Sequence, residues 1–438
     1  MTLPRVKATL LHISVCTIFF LQGCGGSATT PTVWENTFID TPTPTLKLIR
    51  ADEDTVSRLA YNSNTLNIQH FNLDGTYISE NNTPLDLGDN AFMIPAYEGK
   101  IWSRNYYLDI VKFDQNWSKK WTYQKTSADG FQRYNSLAAS PSSDEIIIST
   151  TNDAGVPTII MLNNGTESFR YTSDNPEITS IRFLTFSGEN IYAYGVTNSS
   201  PSNGLLFVFN QQLEKLQVSD NMNIDKIIAS PNGIILGTEN TITALDSSLV
   251  KQWEQSSPNN LSTAKLIAGE QHIYLYEEKN QELATSYYYT ASSTVESYSY
   301  NGLFEWEYQA QRTGYDTQFR STTIREIDPD NVALTYQQDI SSLPDLTDAL
   351  MTRHSINIKH HVINNKGVLS RLITEDTYRY DKTACLGGWG FCIPTSIFIE
   401  EGNAVNYGVL SGDNNEFITL SHWGRGIEGE SHSVLAAY

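Results

Sequence analysis

Phe113-Asp114-Gln115-Asn116-Trp117-Ser118-Lys119-Lys120-Trp121, Leu245-Asp246-Ser247-Ser248-Leu249-Val250-Lys251-Gln252-Trp253 and Tyr298-Ser299-Tyr300-Asn301-Gly302-Leu303-Phe304-Glu305-Trp306 share one layout. An apolar residue ends a strand, a polar turn follows, and a tryptophan closes the next strand. Weaker copies begin near Phe71, Leu162, Phe209 and Val362, so that successive units are 42, 49, 47, 36, 53 and 64 residues apart. A period of roughly 40 to 50 residues is that of a four-stranded propeller blade.

Upstream of each turn two further strand-like runs are usually present: Lys226 to Ala229 and Gly233 to Gly237 before Leu245, and Ile181 to Phe186 and Ile191 to Gly195 before Phe209. Such runs, β-branched or aromatic and bounded by Asn, Asp, Gly and Ser, recur along the chain with almost no helical periodicity, which predicts an all-β fold. One blade cannot bury both faces of its sheet, whereas blades stacked around an axis bury each face on a neighbour. The recurring Trp121, Trp253 and Trp306 are therefore expected as structural residues between blades. Seven units carry the turn. The tail supplies one more from Ser396 to Glu400, Ala404 to Leu410, Glu416 to Trp423 and Ser433 to Ala437, giving eight blades; in the alternative, seven blades form and the last strands complete the first. The stretches from Asp339 to Asp348 and from Thr374 to Pro394 exceed tight hairpins and are expected as loops projecting from one face.

The pattern resembles the quinoprotein-like (PQQ-repeat-like) propeller family, in which a Gly-containing strand leads to an "ALD" strand end, a turn and a tryptophan. The best match runs from Gly233-Ile234-Ile235-Leu236-Gly237 through Ala244-Leu245-Asp246 to Trp253. The dehydrogenases of that family carry two adjacent cysteines over their quinone. No adjacent cysteines occur here, so no cofactor is expected.

The beginning of the chain bears on location. Arg5 and Lys7 precede an apolar run from Ala8 to Leu21, too short to span a bilayer and of the form of a secretory signal. Its end, Leu21-Gln22-Gly23-Cys24, resembles the bacterial lipoprotein lipobox, which implies cleavage before Cys24 and acylation (palmitate among the chains) of that residue. Gly25 after the cysteine, rather than Asp, resembles the pattern sorted to the outer membrane. The expected organisation is a signal peptide over 1–23, a lipidated cysteine and flexible Ser/Thr/Pro tether over 24–44, and one propeller over 45–438. At about 3.1 Å per residue the tether would reach up to ~60 Å. Trp34, its bulkiest apolar residue, could dock on the domain or rest at the membrane.

Of the four cysteines, Cys16 leaves with the signal and Cys24 is taken by lipid. Cys385 and Cys392 remain, close in sequence in an exported chain, and read as a disulfide. The alternative, a metal pair, lacks nearby Cys or His partners. Between them Trp389 and Phe391 form a possible partner contact. Asp and Glu outnumber Lys and Arg by 49 to 29, a net charge of −20 that argues against nucleic acid. No phosphate loop, Gly-x-Ser-x-Gly elbow or His-Glu-x-x-His helix is present. His354, His360 and His361 are expected as exposed strand residues, Asp328, Asp330 and Asn331 as a solvated turn, as are Asp86 and Asp89, and Tyr287 to Tyr289, Tyr298 and Tyr300 as strand packing. No catalytic or metal residues are assigned.

These features point to a lipid-anchored, periplasmic, non-catalytic scaffold on the outer membrane that binds protein partners of the envelope. It resembles in architecture the propeller lipoproteins of the outer-membrane β-barrel assembly machinery, though no partner-binding loop matches. The alternatives are a glycan-binding or polysaccharide-degrading enzyme at the propeller mouth, its acids drawn from separate blades, and a cell-surface adhesin.

Overall fold

The computed structural model describes residues 32–438, apart from 41–44, 86–90, 105–108, 283–287, 316–321, 342–350, 384–402, 412–415, 425–430 and single residues, pairs or a trio elsewhere. Eight antiparallel sheets, each with four strands in succession, follow one another along the chain, and in the fourth Met222–Asn223 adds a short fifth strand. Within each, we letter the strands a to d from the axis outward. Strands a are neighbours in six of the eight successive blade pairs, so they ring the axis. Strands a to d run from Thr45 to Pro84 in blade 1, from Ala91 to Gln124 in blade 2, from Tyr134 to Thr172 in blade 3, from Ile178 to Val218 in blade 4, from Lys226 to Ser256 in blade 5, from Lys265 to Tyr315 in blade 6 and from Thr323 to Thr383 in blade 7. Blade 8 takes strands a, b and c from Asn403–Ser411, Phe417–Gly424 and Ser431–Ala437.

The fourth strand of blade 8 is Trp34–Asp40, which pairs antiparallel with Ser431–Ala437. This corrects two expectations. The fourth strand is not the run from Ser396 to Glu400, which lies outside the described residues, and the segment over 24–44 is not tether throughout. Its Ser/Thr/Pro composition hides a period-2 pattern. Trp34 and Phe38 pack on the core between blades 8 and 1, while Asn36, on the same side of the strand, donates its amide hydrogen to Gly75 O at 2.9 Å. Both ends of the chain thus meet in one sheet and close the ring.

The repeated turn has a definite geometry. Its first residue is usually Asp or Asn, whose side-chain oxygen accepts two backbone N–H groups of the turn: Asp246 Oδ1 takes those of Ser248 and Val250, and Asn364 Oδ1 those of Lys366 and Val368. Its fourth residue has positive φ, at Gly75, Trp117, Leu213, Leu249, Gly302 and Gly367. Whether that residue is glycine depends on the blade before it. Trp34 lies against Gly75, Trp253 against Gly302 and Trp306 against Gly367, so close that a Cβ on these glycines would stand 2.5, 2.5 and 2.7 Å from the tryptophan. Trp121 lies similarly on Gly165 of a tighter turn. Trp34 and Trp253 each donate their indole N–H at 2.9 Å to the carbonyl of the turn's second residue, Leu73 and Tyr300. Blade 1 has Ser79 at the place of Trp253 in its outer strand, and there Trp117 of blade 2 is buried instead. The left-handed backbone, which costs a non-glycine residue about 1 to 2 kcal/mol, is offset by that burial.

If the tryptophan and the turn compete for one space, Gly302→Ala destabilises the protein by about 1 to 3 kcal/mol, through both the clash and the positive φ. In a Trp253→Ala background the clash is gone, so the same change should cost measurably less. Urea unfolding of the four proteins of this cycle checks the coupling; additivity would mean that the ring does not constrain the turn.

Candidate partner-binding end of blades 6 and 7

Strand a of blade 6 ends its pairing where Lys265 meets Tyr276, yet strands b, c and d continue: Glu282 pairs with Tyr289, and Tyr288 with Tyr315. In blade 7 strand a ends at Thr323, opposite Thr335, while Ser341 pairs with His354 and Met351 with Thr383. Two adjacent three-stranded extensions therefore rise from the same end of the molecule, the end that carries the connections between strands b and c. At about 3.3 Å per residue the three-stranded part reaches some 20 Å in each blade, and in blade 7 strands c and d continue by themselves to some 30 Å. The stretch expected as a loop from Thr374 onward is strand as far as Thr383. Its residues continue the ladder with Met351–Asn364, which satisfies their backbone groups.

Where the blade 7 extension begins, His360 and His361 point to opposite sides of strand c. Both are buried, correcting their expectation as exposed residues. His360 Nδ1 is 2.9 Å from Thr335 Oγ1 and its Nε2 is 2.8 Å from Glu375 Oε1. The other oxygen of Glu375 accepts from the Ser421 hydroxyl of blade 8. On the other side, His361 lies between two phenols, with Nδ1 2.6 Å from Tyr308 Oη of blade 6 and Nε2 2.8 Å from Tyr336 Oη. One strand is thus fastened to both neighbouring blades. Alternation along a strand makes this possible, because adjacent residues face opposite ways.

The electrostatics follow from burial. Burial would raise the Glu375 carboxyl, but its pairing with His360 and the Ser421 hydrogen bond outweigh that and hold it below the usual carboxylate range. The Tyr438 phenol is pushed up by burial and by the charges of Glu375 and Glu35. In blade 6, burial and the charges of Glu307 and Glu277 raise the Glu296 carboxyl, which accepts a hydrogen bond from Tyr298 Oη at 2.6 Å. Glu296 and Glu307 stand directly opposite each other in the sheet. Lys279 relieves the cluster through a 2.8 Å ion pair with Glu277.

Of the residues singled out in the sequence, Cys24, Cys385, Trp389, Phe391 and Cys392 lie outside the described residues, as do Asp86, Asp89 and Tyr287. The chain leaves blade 7 at Thr383, the far end of the longer extension, and is described again from Asn403 in blade 8. Asp328 accepts from the Asp330 N–H and the Asn331 amide, closing a turn within one hairpin. Tyr298 is buried. Trp121, Trp253 and Trp306 lie in three separate blade interfaces and form no common site. Sequence reading missed Glu375, Tyr308 and Tyr336, and it left the docking of Trp34 as one of two alternatives. The first three act through partners on other strands or blades and leave no local spacing, whereas Trp34 was readable from its alternation with Phe38.

No protein-family profile matches the sequence, and no curated protein matches it. Among solved structures, the chain is similar to a europium-containing methanol dehydrogenase (8% identity over 93% of this chain and 95% of that one, TM-score 0.44). It is also similar to virginiamycin B lyase from Staphylococcus aureus (13%, 69% and 96%, TM-score 0.41) and to the WD40 domain of SCAP from fission yeast (8%, 92% and 98%, TM-score 0.41). These likenesses carry over no residue role; the propeller rests on the strand pairings described above.

A carboxyl held below its ordinary value of 4.5 stabilises the fold fully above that pH, and the contribution is lost as pH falls through the lowered value. Glu375→Gln should therefore lower stability at pH 7 by on the order of 3 kcal/mol, with the gap to the parent closing below about pH 4. Urea midpoints from pH 7 to pH 3 measure this. Parallel profiles would remove Glu375 from the acid limb.

Proposed function

We propose that this protein is a non-catalytic scaffold of the bacterial envelope, anchored to the outer membrane through lipid on Cys24, facing the periplasm, and binding a protein partner with the extended end of blades 6 and 7. The observation that carries the reading is the pair of extensions. Among the described residues strand a pairs with strand b no further than Lys265 and Thr323, so strand b has no strand partner on that side from Asn280 to Glu282 and from Gln337 to Ser341. Open edges favour pairing with another chain, and adding a strand is a common mode of protein recognition. A chain segment entering along the axial side of the extensions would meet such an edge on each of them, above a base fastened by His360 and His361. The Cys385–Cys392 segment lies outside the described residues, soon after Thr383 in the chain, and its Trp389 and Phe391 would serve the same partner as anchoring aromatics.

The closing strand shortens the leash. Only residues 25–33 separate Cys24 from Trp34, so the extended tether spans about 30 Å, half of what its composition alone suggested. Val33 enters beside Ala437, on the face opposite the extensions. A lipid on Cys24 would hold that face toward the membrane and leave the extensions pointing away from it.

Photo-crosslinking residues placed at Lys279 and Gln311 in living cells should capture one discrete envelope protein, whereas the same residue at Ser247, in the turn face, should not. Capture only from Ser247, or none from the extensions, would overturn the assignment. Saturable binding of a polysaccharide by the purified protein, lost on Glu296→Gln, would instead favour the glycan reading. Cys24→Ser should release the protein from washed membranes; continued sedimentation would mean that lipid is not the anchor.

A further inference from the structure

The chain as a whole is acidic, but its axis is not. Across the eight a strands stand Lys47, Arg50, Arg182, Lys226, Lys265 and Arg325 against two carboxylates, Glu326 and Asp328, both in blade 7. Both carboxylates are engaged elsewhere. Glu326 accepts from the Glu270 N–H and from Tyr274 Oη between blades 6 and 7, and Asp328 closes its own turn.

Three of the cations occupy one position. Lys47-Leu48-Ile49, Lys226-Ile227-Ile228 and Lys265-Leu266-Ile267 are equivalent tripeptides of blades 1, 5 and 6. In each, the isoleucine packs into the interface with the following blade. The lysine two residues earlier is on the same side of its strand, so the three stand at one height around the axis. In blade 7 a bulge shifts the register, and Arg325 lies opposite Ala333, at the place the isoleucine holds in the other three blades, one side-chain step nearer the turn face. Arg182 of blade 4 lies beside them at a bulge. Among the described residues none of the five makes an ion pair; Lys265 donates to the Thr322 carbonyl, and Arg182 lies over the Phe183 ring.

The surroundings make these charges costly. Arg325 is reached by solvent, yet protein flanks it so closely that loss of hydration pushes its pKa down. Lys47 is pushed down by burial and by the charge of Arg325, two blades away around the ring. Uncompensated like charges in a confined, partly desolvated channel focus a positive potential that an anion relieves.

We propose that the axial channel binds a small multivalent oxyanion, a phosphate or carboxylate compound, held by Lys47, Lys226, Lys265 and Arg325 with Arg182 beside them. This site is independent of the partner-binding end of blades 6 and 7. Inorganic tripolyphosphate and citrate serve as probes of the two headgroups, each titrated calorimetrically into the mature protein at constant ionic strength. One saturable site per chain is expected for at least one of them, and the stronger binder identifies the headgroup. Lys47→Gln/Arg325→Gln should weaken it by about tenfold or more, as expected for lost charge-assisted hydrogen bonds. Lys119→Gln/Lys366→Gln, on exposed residues, should leave it unchanged. Without ligand the axial double variant should melt at or above the parent, because a repulsion has been removed. Heats no larger than those of matched sodium chloride, equal affinity in the axial variant, or a large drop in its ligand-free melting temperature would each overturn the site.

Discussion

A tryptophan laid on the turn of the next blade is the contact on which this ring depends. Each sheet is stable only when both faces are covered, and the outer strands, being mostly exposed, contribute little apolar area of their own. The indole of Trp34, Trp121, Trp253 or Trp306 bridges that gap, and glycine at the facing turn is the condition for its approach. Where the tryptophan is missing the neighbour compensates: Trp117 and Leu213 fill the interface from the turn side, and Gln217 donates its side-chain amide to Ser248 O in the next turn. The repeat therefore varies in sequence while one space is filled in each case.

Closure makes the contact cooperative. The strand Trp34–Asp40 binds the two ends of the chain into blade 8, and Arg58 of blade 1 reinforces the seam through Ser433 Oγ at 2.7 Å and the face of Phe38 at 4.3 Å. A propeller without this overlap would leave two sheet edges open at one seam. Among the described residues, strand a stops short of its neighbours in blades 6 and 7 instead. The histidine pair at their base follows the same logic, with His360 and His361 joining three consecutive blades through hydrogen bonds in a region where apolar packing gives way to polar strands.

Charge is distributed by radius. Carboxylates and cations are nearly balanced on the outer strands, whereas lysine and arginine gather on the strands around the axis. A net charge of −20 keeps the exterior repulsive to anionic polymers. It does not describe the interior of the channel, which has the opposite sign.

The all-β class, the blade period and seven of the eight third strands were legible in the sequence, because polar turns and closing aromatics are local signals that recur whenever the same contact is repeated. Phe71, Phe113, Leu162, Phe209, Leu245, Tyr298 and Val362 all fall near the end of a strand c. The strand at Trp34 was hidden because composition outweighed alternation in a segment rich in Thr and Pro. The lysine tripeptides and Arg325 were present in the sequence as well, yet nothing in a strand shows which of its sides faces an axis. Only the closed ring decided that Trp34 belongs to the last blade, that Glu375 meets His360 and Ser421, and that cations from distant blades share one channel. Each of these depends on pairing between residues tens to hundreds of positions apart, which local propensity does not encode.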